Sequence, residues 1–330
     1  MRAKHTYSFL GAILSLLLLG CGHIQEKQVL RLGHSLNTQH PVHAGLVRMA
    51  EVVDSISAGE LSIKIYPSGQ LGSESQCLEL LQIGSLAMTK VSCAVMERFE
   101  PSYAVLSMPY LFQNREASFR VLDGEIGQEL LGKGSSARLR GLSFLDAGTR
   151  CFYTKDGPVN SPSDLSGKKV RVQSSPMAIS LINSLGGSPT PISWGELYTA
   201  LQQGVVDAAE NNLPSYYTSQ HYQVTPHYTY NHHTSVPDVL VIGTATWDRL
   251  SEQEKGWMRE AARIATNYQR DRWLIAEQEA IVAMQADTSV QVQFYEVDSA
   301  PFRAAVSPMY DEARQDPIMG PLLDRIIAAQ

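Results

Sequence analysis

Short apolar runs alternate with longer amphipathic stretches along most of the chain. A strand pattern at 29–34 is followed by an amphipathic segment over 42–57 and by a second strand pattern at 61–66. A helix pattern then begins at Ser73 and continues to Gly84. Strands that alternate with helices favour a parallel sheet, because a parallel connection needs a crossover. The pattern therefore predicts an α/β fold.

The segment 167–217 repeats this arrangement and places polar side chains at the ends of apolar runs. Its features, in order, are the strand pattern Lys169-Val170-Arg171-Val172, a helix that ends at Gly186-Gly187, a helix over 193–204, and the run Val205-Val206-Asp207-Ala208 before Glu210-Asn211-Asn212. In open α/β sheets, ligands bind where strands end in loops. We therefore expect Arg171 and Asn211 to form two walls of one small-anion site.

The length of 330 residues exceeds what one hydrophobic core usually holds, so two domains are expected. A capping box at Ser251–Glu254 begins the longest helical pattern, which runs to about Ala286 and would measure about 50 Å at 1.5 Å per residue. An extended run at 148–154 and a strand pattern at 236–243 are interpreted as crossings between the domains. The predicted boundaries are 27–147 plus 237–276 for domain I and 148–236 plus 277–330 for domain II.

The amino terminus has the pattern of an export signal. Arg2 and Lys4 precede an apolar run over 9–19 that is short for a membrane span, so residues 1–20 are predicted to be a signal peptide. Leu18-Leu19-Gly20-Cys21 resembles the lipobox of bacterial lipoproteins, in which the cysteine carries the lipid. Such an anchor would tether the protein to a membrane without spanning it. The alternative is that Cys21 is an ordinary residue near a conventional cleavage site.

Composition and charge narrow the functional classes. With 44% hydrophobic and 18% charged residues, the chain is typical of globular proteins. Without residues 1–20 it has 25 basic and 33 acidic residues, a net charge of −8, so no nucleic-acid partner is expected. Cys77, Cys93 and Cys151 can form at most one disulfide and contain no C-x-x-C pair. We expect all three to be small buried hydrophobic residues.

Enzymatic motifs are sparse in the sequence. His40-x-x-His43 and the pair His232-His233 have no third ligand at a useful spacing, and no nucleophile elbow, phosphate loop or dinucleotide fingerprint is present. We therefore expect neither a metal nor a cofactor. The acids and histidines could still assemble in space, which keeps a secreted hydrolase or lyase as the competing class. A tethered adhesion or scaffold protein is less favoured, because polar residues at the ends of strands indicate a binding cleft and not an adhesive surface.

Several motifs in one order and spacing resemble a known family. They are Gly69-Gln70-Leu71-Gly72 with Glu74, Met108-Pro109-Tyr110-Leu111-Phe112, Gly148-Thr149-Arg150, the run 164–172, and the run 201–207 followed by Glu210-Asn211. Together they resemble the DctP-type solute-binding proteins of tripartite ATP-independent periplasmic (TRAP) transporters. Two departures are Ala208-Ala209, where glycine is frequent, and Ser85-Leu86-Ala87, which lacks the usual Asp before Met88.

This resemblance implies a two-domain, periplasmic-binding-protein-like fold with mixed β-sheets and a long helix that spans both domains. It implies an extracytoplasmic binding protein without catalysis or a prosthetic group, whose partner is a permease with two unlike integral-membrane subunits. The segments 210–222 and 233–238 are similar to the branch that binds hexuronates such as glucuronate and galacturonate. A dicarboxylate or a small keto acid is the alternative ligand.

The resemblance also implies roles for three side chains. The family's arginine at the position of Arg171 pairs with the substrate carboxylate, with Arg150 and Asn211 nearby. A guanidinium offers a planar fork of donors that matches a carboxylate. From the residues alone, surface salt bridges would explain the arginines, and a turn would explain the asparagine.

Four further candidates have balanced alternatives. Glu74 could accept hydrogen bonds from polyol hydroxyls, or it could only offset a helix dipole. His34 and His233 could donate to a hydroxyl, or they could be structural. Tyr217 could offer a flat face to a pyranose, or it could pack against a helix or hinge.

Overall fold

Two β-sheets form the framework of the chain, and helices pack around both. The structure is a computed structural model that describes residues 27–330, so the expected signal segment 1–20 and the lipidation site Cys21 lie outside it. Within the described range, no helix combines the length and the apolar character that a membrane crossing requires.

Most strands lie at or near the predicted positions, whereas β7 and β9 have no predicted counterpart. In chain order they are β1 (Gln28–Gly33), β2 (Leu61–Tyr66), β3 (Met88–Ser92), β4 (Leu139–Leu145), β5 (Arg150–Thr154), β6 (Lys169–Val172), β7 (Ser188–Pro191), β8 (Ala208–Asn211), β9 (His227–Thr234), β10 (Asp238–Gly243) and β11 (Gln293–Glu296). The first sheet has the order β2-β1-β3-β10-β4, and the second has the order β11-β9-β5-β8-β6-β7.

The α-helices lie between these strands and at the carboxyl end of the chain. They are α1 (Pro41–Ile56), α2 (Glu74–Gln82), α3 (Cys93–Met96), α4 (Arg115–Asp123), α5 (Glu125–Lys133), α6 (Pro176–Ser184), α7 (Trp194–Gln203), α8 (Leu213–Thr218), α9 (Thr244–Trp247), α10 (Glu252–Ala286), α11 (Ala300–Gln315) and α12 (Met319–Ala328). Short 3-10 helices occupy Pro101–Ser107, Gly134–Ala137, Pro162–Leu165 and His221–Gln223.

Both sheets are mixed, which confirms the predicted fold class. In the first sheet β1 pairs in parallel with β2 and β3, whereas β10 runs antiparallel to β3 and β4. In the second sheet β6 is parallel to β7 and β8, and β5 is antiparallel to β8 and β9. The antiparallel pairs include the strands that flank the two crossings between sheets, β4 to β5 and β9 to β10.

Three local expectations differ from the structure. The helix expected over 115–131 is broken at Gly124, whose extended backbone ends α4 and precedes α5. The strand β8, which ends at Asn211, begins at Ala208 rather than Val205, because Gly204 ends α7 in the left-handed conformation. Strand β9 was not predicted, because its sequence HYTYNHHT is polar; its Tyr228 is nevertheless buried among aromatic rings.

The long helix α10 runs past both sheets, as predicted. It contacts α1 beside the first sheet and α8 beside the second. At the crossing between β4 and β5, the buried Gln269 amide accepts from the backbone N–H of Asp146 and donates to its carbonyl, both at 2.9 Å. The crossing is therefore fixed to the middle of the helix. Cys77, Cys93 and Cys151 are buried, as expected, and none of them forms a disulfide with another described residue.

Candidate ligand-binding site

A cavity of about 350 Å³ lies between the two sheets and is lined from both sides. Four of the predicted site residues line it, namely Glu74, Arg150, Arg171 and Asn211. The first is at the start of α2, beside the first sheet. The other three belong to β5, β6 and β8 of the second sheet. The structure therefore brings together residues that are 137 positions apart between Glu74 and Asn211.

Arg171 is a buried cation that pairs with no carboxylate in the described part of the chain. Only 3% of the residue is exposed, and its Nε donates to the carbonyl of Ile192 at 2.9 Å. Neither Nη1 nor Nη2 donates to any residue in 27–330, and no carboxylate in that range pairs with the guanidinium. Burial lowers the pKa of Arg171. A buried charge without a partner is unfavourable, so this side chain presents a binding site for an anion.

Arg150 differs from Arg171 because its charge is already compensated. Its Nε and Nη2 form a two-pronged pair with Glu210, in which Nη2 lies 2.8 Å from Oε1, and Nη2 also donates to the carbonyl of Glu210 at 2.9 Å. Its Nη1 donates to Oδ1 of Asn211 at 2.9 Å. Burial opposes ionisation of Glu210, but Arg150 holds the pKa of that carboxyl at about 2. One N–H of Nη1 remains for a ligand.

The two asparagines at the end of β8 have different environments. Asn211 accepts from Arg150 and from the backbone N–H of Asn212, whereas its Nδ2 donates to no described residue. Asn212 uses both ends of its amide: Nδ2 donates to Ala147 at 2.9 Å, and Oδ1 accepts from Ser215 at the start of α8. Asn211 thus offers a free amide donor to the cavity, and Asn212 fixes the loop.

The wall beside the first sheet carries a cluster of three charged residues, Glu74, Lys90 and Asp238. Lys90 Nζ donates to Glu74 Oε1 at 3.1 Å and to Asp238 Oδ2 at 3.0 Å. Lys90 lies in β3, the central strand of that sheet, and is 2% exposed. Lys90 is not among the predicted site residues, and Asp238 entered only as the end of the segment 233–238 that resembles the hexuronate-binding branch. The available signal is the charge of Lys90 inside a strand, since lysine is rarely buried unless it is paired and β3 is buried at every position.

Residues 32–316 match the profile of the family described as bacterial extracellular solute-binding protein, family 7. The chain belongs to this family. A TRAP periplasmic solute-binding protein from Bradyrhizobium sp. BTAi1, solved with α/β-D-galacturonate, is 36% identical with a TM-score of 0.88; the match covers 91% of this chain and 100% of that one. A second, from Anaerococcus prevotii with bound α/β-D-glucuronate, is 35% identical with a TM-score of 0.88, over 92% and 98% of the two chains.

A curated relative extends the comparison to another class of ligand. The C4-dicarboxylate-binding periplasmic protein DctP of Rhodobacter capsulatus is 29% identical over 313 residues, which is 92% of this chain and 92% of that protein. The resemblance to DctP-type proteins is therefore confirmed. The family 7 assignment also places the protein outside the cytoplasm.

Three predicted ligand contacts of the family 7 protein lie outside the cavity lining. His34 is buried, with Nε2 3.0 Å from His43 Nδ1, and burial together with Lys90 lowers its pKa to about 3. His233 stacks on Phe152 at 4.5 Å between ring centroids. The Nε2 of His233 is 3.5 Å from a carboxylate oxygen of Glu210. Tyr217 stacks on Tyr222 at 6.0 Å. Their roles as ligand contacts stay predictions.

Two rings that do line the cavity were not among the predicted site residues. Trp194, at the start of α7, lies with its ring 5.9 Å from the Arg171 guanidinium carbon. His40 accepts from the N–H of Val42 through Nδ1, so its Nε2 carries the proton and donates to Ser215 at 3.1 Å. Burial lowers the pKa of His40 well below its usual value, which keeps the ring neutral. In the sequence, His40 stands out only as half of a possible metal pair with His43.

The two walls of the cavity offer complementary chemistry. The second sheet supplies the free guanidinium of Arg171 and the free amide of Asn211, which suit a carboxylate. The wall beside the first sheet supplies carboxylates and one ammonium, which suit hydroxyl groups. A small acid with one carboxylate and several hydroxyls satisfies both walls.

Proposed function

We propose that this family 7 protein captures a hexuronate, such as glucuronate or galacturonate, between its two sheets and delivers it to a TRAP permease with two unlike integral-membrane subunits. The observation that carries the proposal is the buried guanidinium of Arg171, which pairs with no carboxylate among residues 27–330. The two structural neighbours that bind galacturonate and glucuronate support the choice of ligand.

In this proposal the ligand carboxylate drives closure of the cleft. An open cleft leaves Arg171 in water, whereas closure without a ligand buries its charge unpaired. A carboxylate bound to Arg171 removes that penalty and so favours the closed form. Arg150 and Asn211 complete the carboxylate site, and Glu74 accepts from ligand hydroxyls. The two lobes are assigned the predicted boundaries, with domain I at 27–147 plus 237–276.

The substitution Arg171→Met tests this function directly. We expect hexuronate affinity, measured by calorimetry, to fall at least about 100-fold, since charged hydrogen bonds contribute about 1.5–3 kcal/mol each and Arg171 offers several. Arg48→Met is the matched control, because Arg48 is an exposed arginine on α1. Wild-type affinity in the Arg171 variant would reject the proposed role. Circular dichroism would establish that both variants are folded.

We also propose that the protein binds its ligand without chemical change. The competing class is a hydrolase or lyase that acts on sugar acids. Incubation with each hexuronate, followed by mass spectrometry of the recovered compound, separates the two. A binding protein raises its own melting temperature and returns the acid unaltered, whereas an enzyme produces a compound of different mass. A dicarboxylate and a keto acid in the same thermal-shift series test the alternative ligands.

A lipid tether at Cys21 is the remaining part of the proposal. The sequence Leu18-Leu19-Gly20-Cys21 supports it. Mass spectrometry of protein purified from membranes should find a diacylated amino-terminal cysteine. An unmodified amino terminus beyond Cys21 would contradict the tether and leave the ligand proposal unaffected.

A further inference from the structure

The cluster of Glu74, Lys90 and Asp238 has an unused acceptor that faces the cavity. Asp238 is 7% exposed, and its Oδ2 accepts from Lys90 at 3.0 Å. Its other oxygen, Oδ1, accepts no hydrogen bond from any residue in 27–330, and the residue lines the cavity. Lys90 has three N–H groups and uses two on the carboxylates, so one donor also remains.

The charges of this cluster do not cancel. When both carboxylates are ionised, they surround one ammonium and leave the wall beside the first sheet with an excess of negative charge. Burial raises the pKa of Asp238, and the charge of Lys90 opposes that shift. Glu74 is held further by the backbone N–H of Ser92 at 3.2 Å and by the hydroxyl of Ser35 at 3.4 Å, so its position is fixed. A hydroxyl group can donate to the free oxygen of Asp238 and accept from Lys90. A carboxylate can only accept, and it would meet the like charge of Asp238.

We propose that Glu74, Lys90 and Asp238 determine ligand class: they bind hydroxyls at the part of the acid remote from Arg171 and exclude a second carboxylate. This inference rests on the proposed function, because it assumes that Arg171 binds the first carboxylate. It separates polyhydroxylated monocarboxylates from dicarboxylates of equal size. Shape alone would not make that distinction, because a carboxylate is close in size to the hydroxymethyl group that it replaces.

A matched pair of open-chain acids provides the test. An aldonate and the corresponding aldarate differ only in whether the last carbon is a hydroxymethyl group or a carboxylate. We expect the wild-type protein to bind the aldonate at least tenfold more tightly than the aldarate in calorimetry. Asp238→Asn and Glu74→Gln should each reduce that ratio severalfold or more. Glu79→Gln, an exposed acid on the same helix as Glu74, should leave the ratio unchanged.

The outcomes distinguish this inference from the proposed function. Hexuronate binding with equal affinities for the aldonate and aldarate overturns the inference alone. An unchanged ratio in both Asp238→Asn and Glu74→Gln, in folded protein, also overturns it. If the wild-type protein binds no hexuronate, the proposed function is rejected. The ratio of its affinities for the aldonate and the aldarate then still decides the role of the cluster. Failure to bind any of these acids rejects both.

Discussion

Whether a buried charge has a partner decides what each side chain of this cavity can do. Arg150 and Arg171 are both buried, yet Arg150 is neutralised by Glu210 and Arg171 by no described residue. The motifs identify both arginines, and the family resemblance assigns the ligand carboxylate to Arg171. The pairing of Arg150 with Glu210 could not be predicted, because it depends on the register between β5 and β8. Lys90 and Asp238 are missing from the predicted site residues, because no motif includes Lys90 and the resemblance includes Asp238 only as the end of the segment 233–238.

The pairing of Arg150 predicts a large effect on stability at the residue scale. Glu210→Gln leaves the Arg150 charge buried without its anion, which should cost about 3–5 kcal/mol in the free energy of unfolding. Urea denaturation of the ligand-free protein measures this. The double variant Arg150→Met/Glu210→Met removes both charges and should be more stable than Glu210→Gln. Equal stability of Glu210→Gln and wild type would show that the pair is not what compensates Arg150.

Hydrophobic periodicity predicts most helices and strands well. It fails where a glycine ends a helix or where aromatic packing stabilises a polar strand. The helix α10 was predicted within a residue of its bounds, because a capping box fixes its start at Ser251. The break at Gly124 and the strand β9 were missed. In the first case a cap interrupts a continuous amphipathic pattern. In the second case, the tyrosine and histidine rings of β9 are mostly buried, although a sequence pattern of polar residues predicts that they are exposed.

The crossing between β4 and β5 yields a prediction at the element scale. Gly148 has a φ of +59°, and a Cβ there would lie 2.9 Å from both Trp273 Nε1 and Glu277 Oε1 on α10. Gly148→Ala should therefore cost the left-handed strain of about 1–2 kcal/mol plus about 1–3 kcal/mol of overpacking. Gly167→Ala is the control, because Gly167 has a φ of +74° and a Cβ there would lie within 4 Å of no described residue other than its chain neighbours. Equal melting temperatures of the two variants would contradict the close contact with α10.

At the scale of the whole molecule, the proposed function requires two lobes that close around a ligand. Contacts between distant parts of the chain join the two sides of the cavity. Asn37 donates to the carbonyl of Thr218 at 2.6 Å, and His40 to Ser215 at 3.1 Å. These contacts are not visible in the sequence, because no local pattern records which loops face each other. The family resemblance predicted the two-lobed arrangement, whereas its boundaries remain a prediction.

Buried neutral histidines make the whole molecule sensitive to acid. Burial is the first cause that lowers the pKa of His34 and of His221 to about 3. The unfolded chain binds a proton at each below about pH 6.5, and the folded chain does not until about pH 3. The free energy of unfolding should therefore decrease as the pH is lowered from about 6.5 to about 3, by up to about 1.4 kcal/mol per pH unit for each histidine. His221→Asn should flatten the pH dependence of the unfolding free energy between pH 6 and 4; an unchanged slope would contradict this.

A carboxylate from the first lobe provides the sharpest test of closure. Glu97 follows α3, is 6% exposed, and accepts from Ser175 Oγ at 2.8 Å and from the N–H of Met177 at 2.9 Å, both at the start of α6. Burial raises the pKa of Glu97. Gln173 and Ser174, which immediately precede this contact in sequence, line the cavity. Glu97 therefore connects the end of α3 to the segment between β6 and α6 that lines the cavity.

If this contact forms only on closure, Glu97→Gln should weaken hexuronate binding about tenfold, since a hydrogen bond to a charged group contributes about 1.5–3 kcal/mol and the amide retains part of it. The loss should appear in the dissociation rate, measured by stopped-flow fluorescence, with little change in the melting temperature of the ligand-free protein. Glu100→Gln is the matched control, because Glu100 accepts from the N–H and hydroxyl of Ser102 within its own lobe. Equal dissociation rates for the two variants would mean that the Glu97 contact does not hold the lobes together.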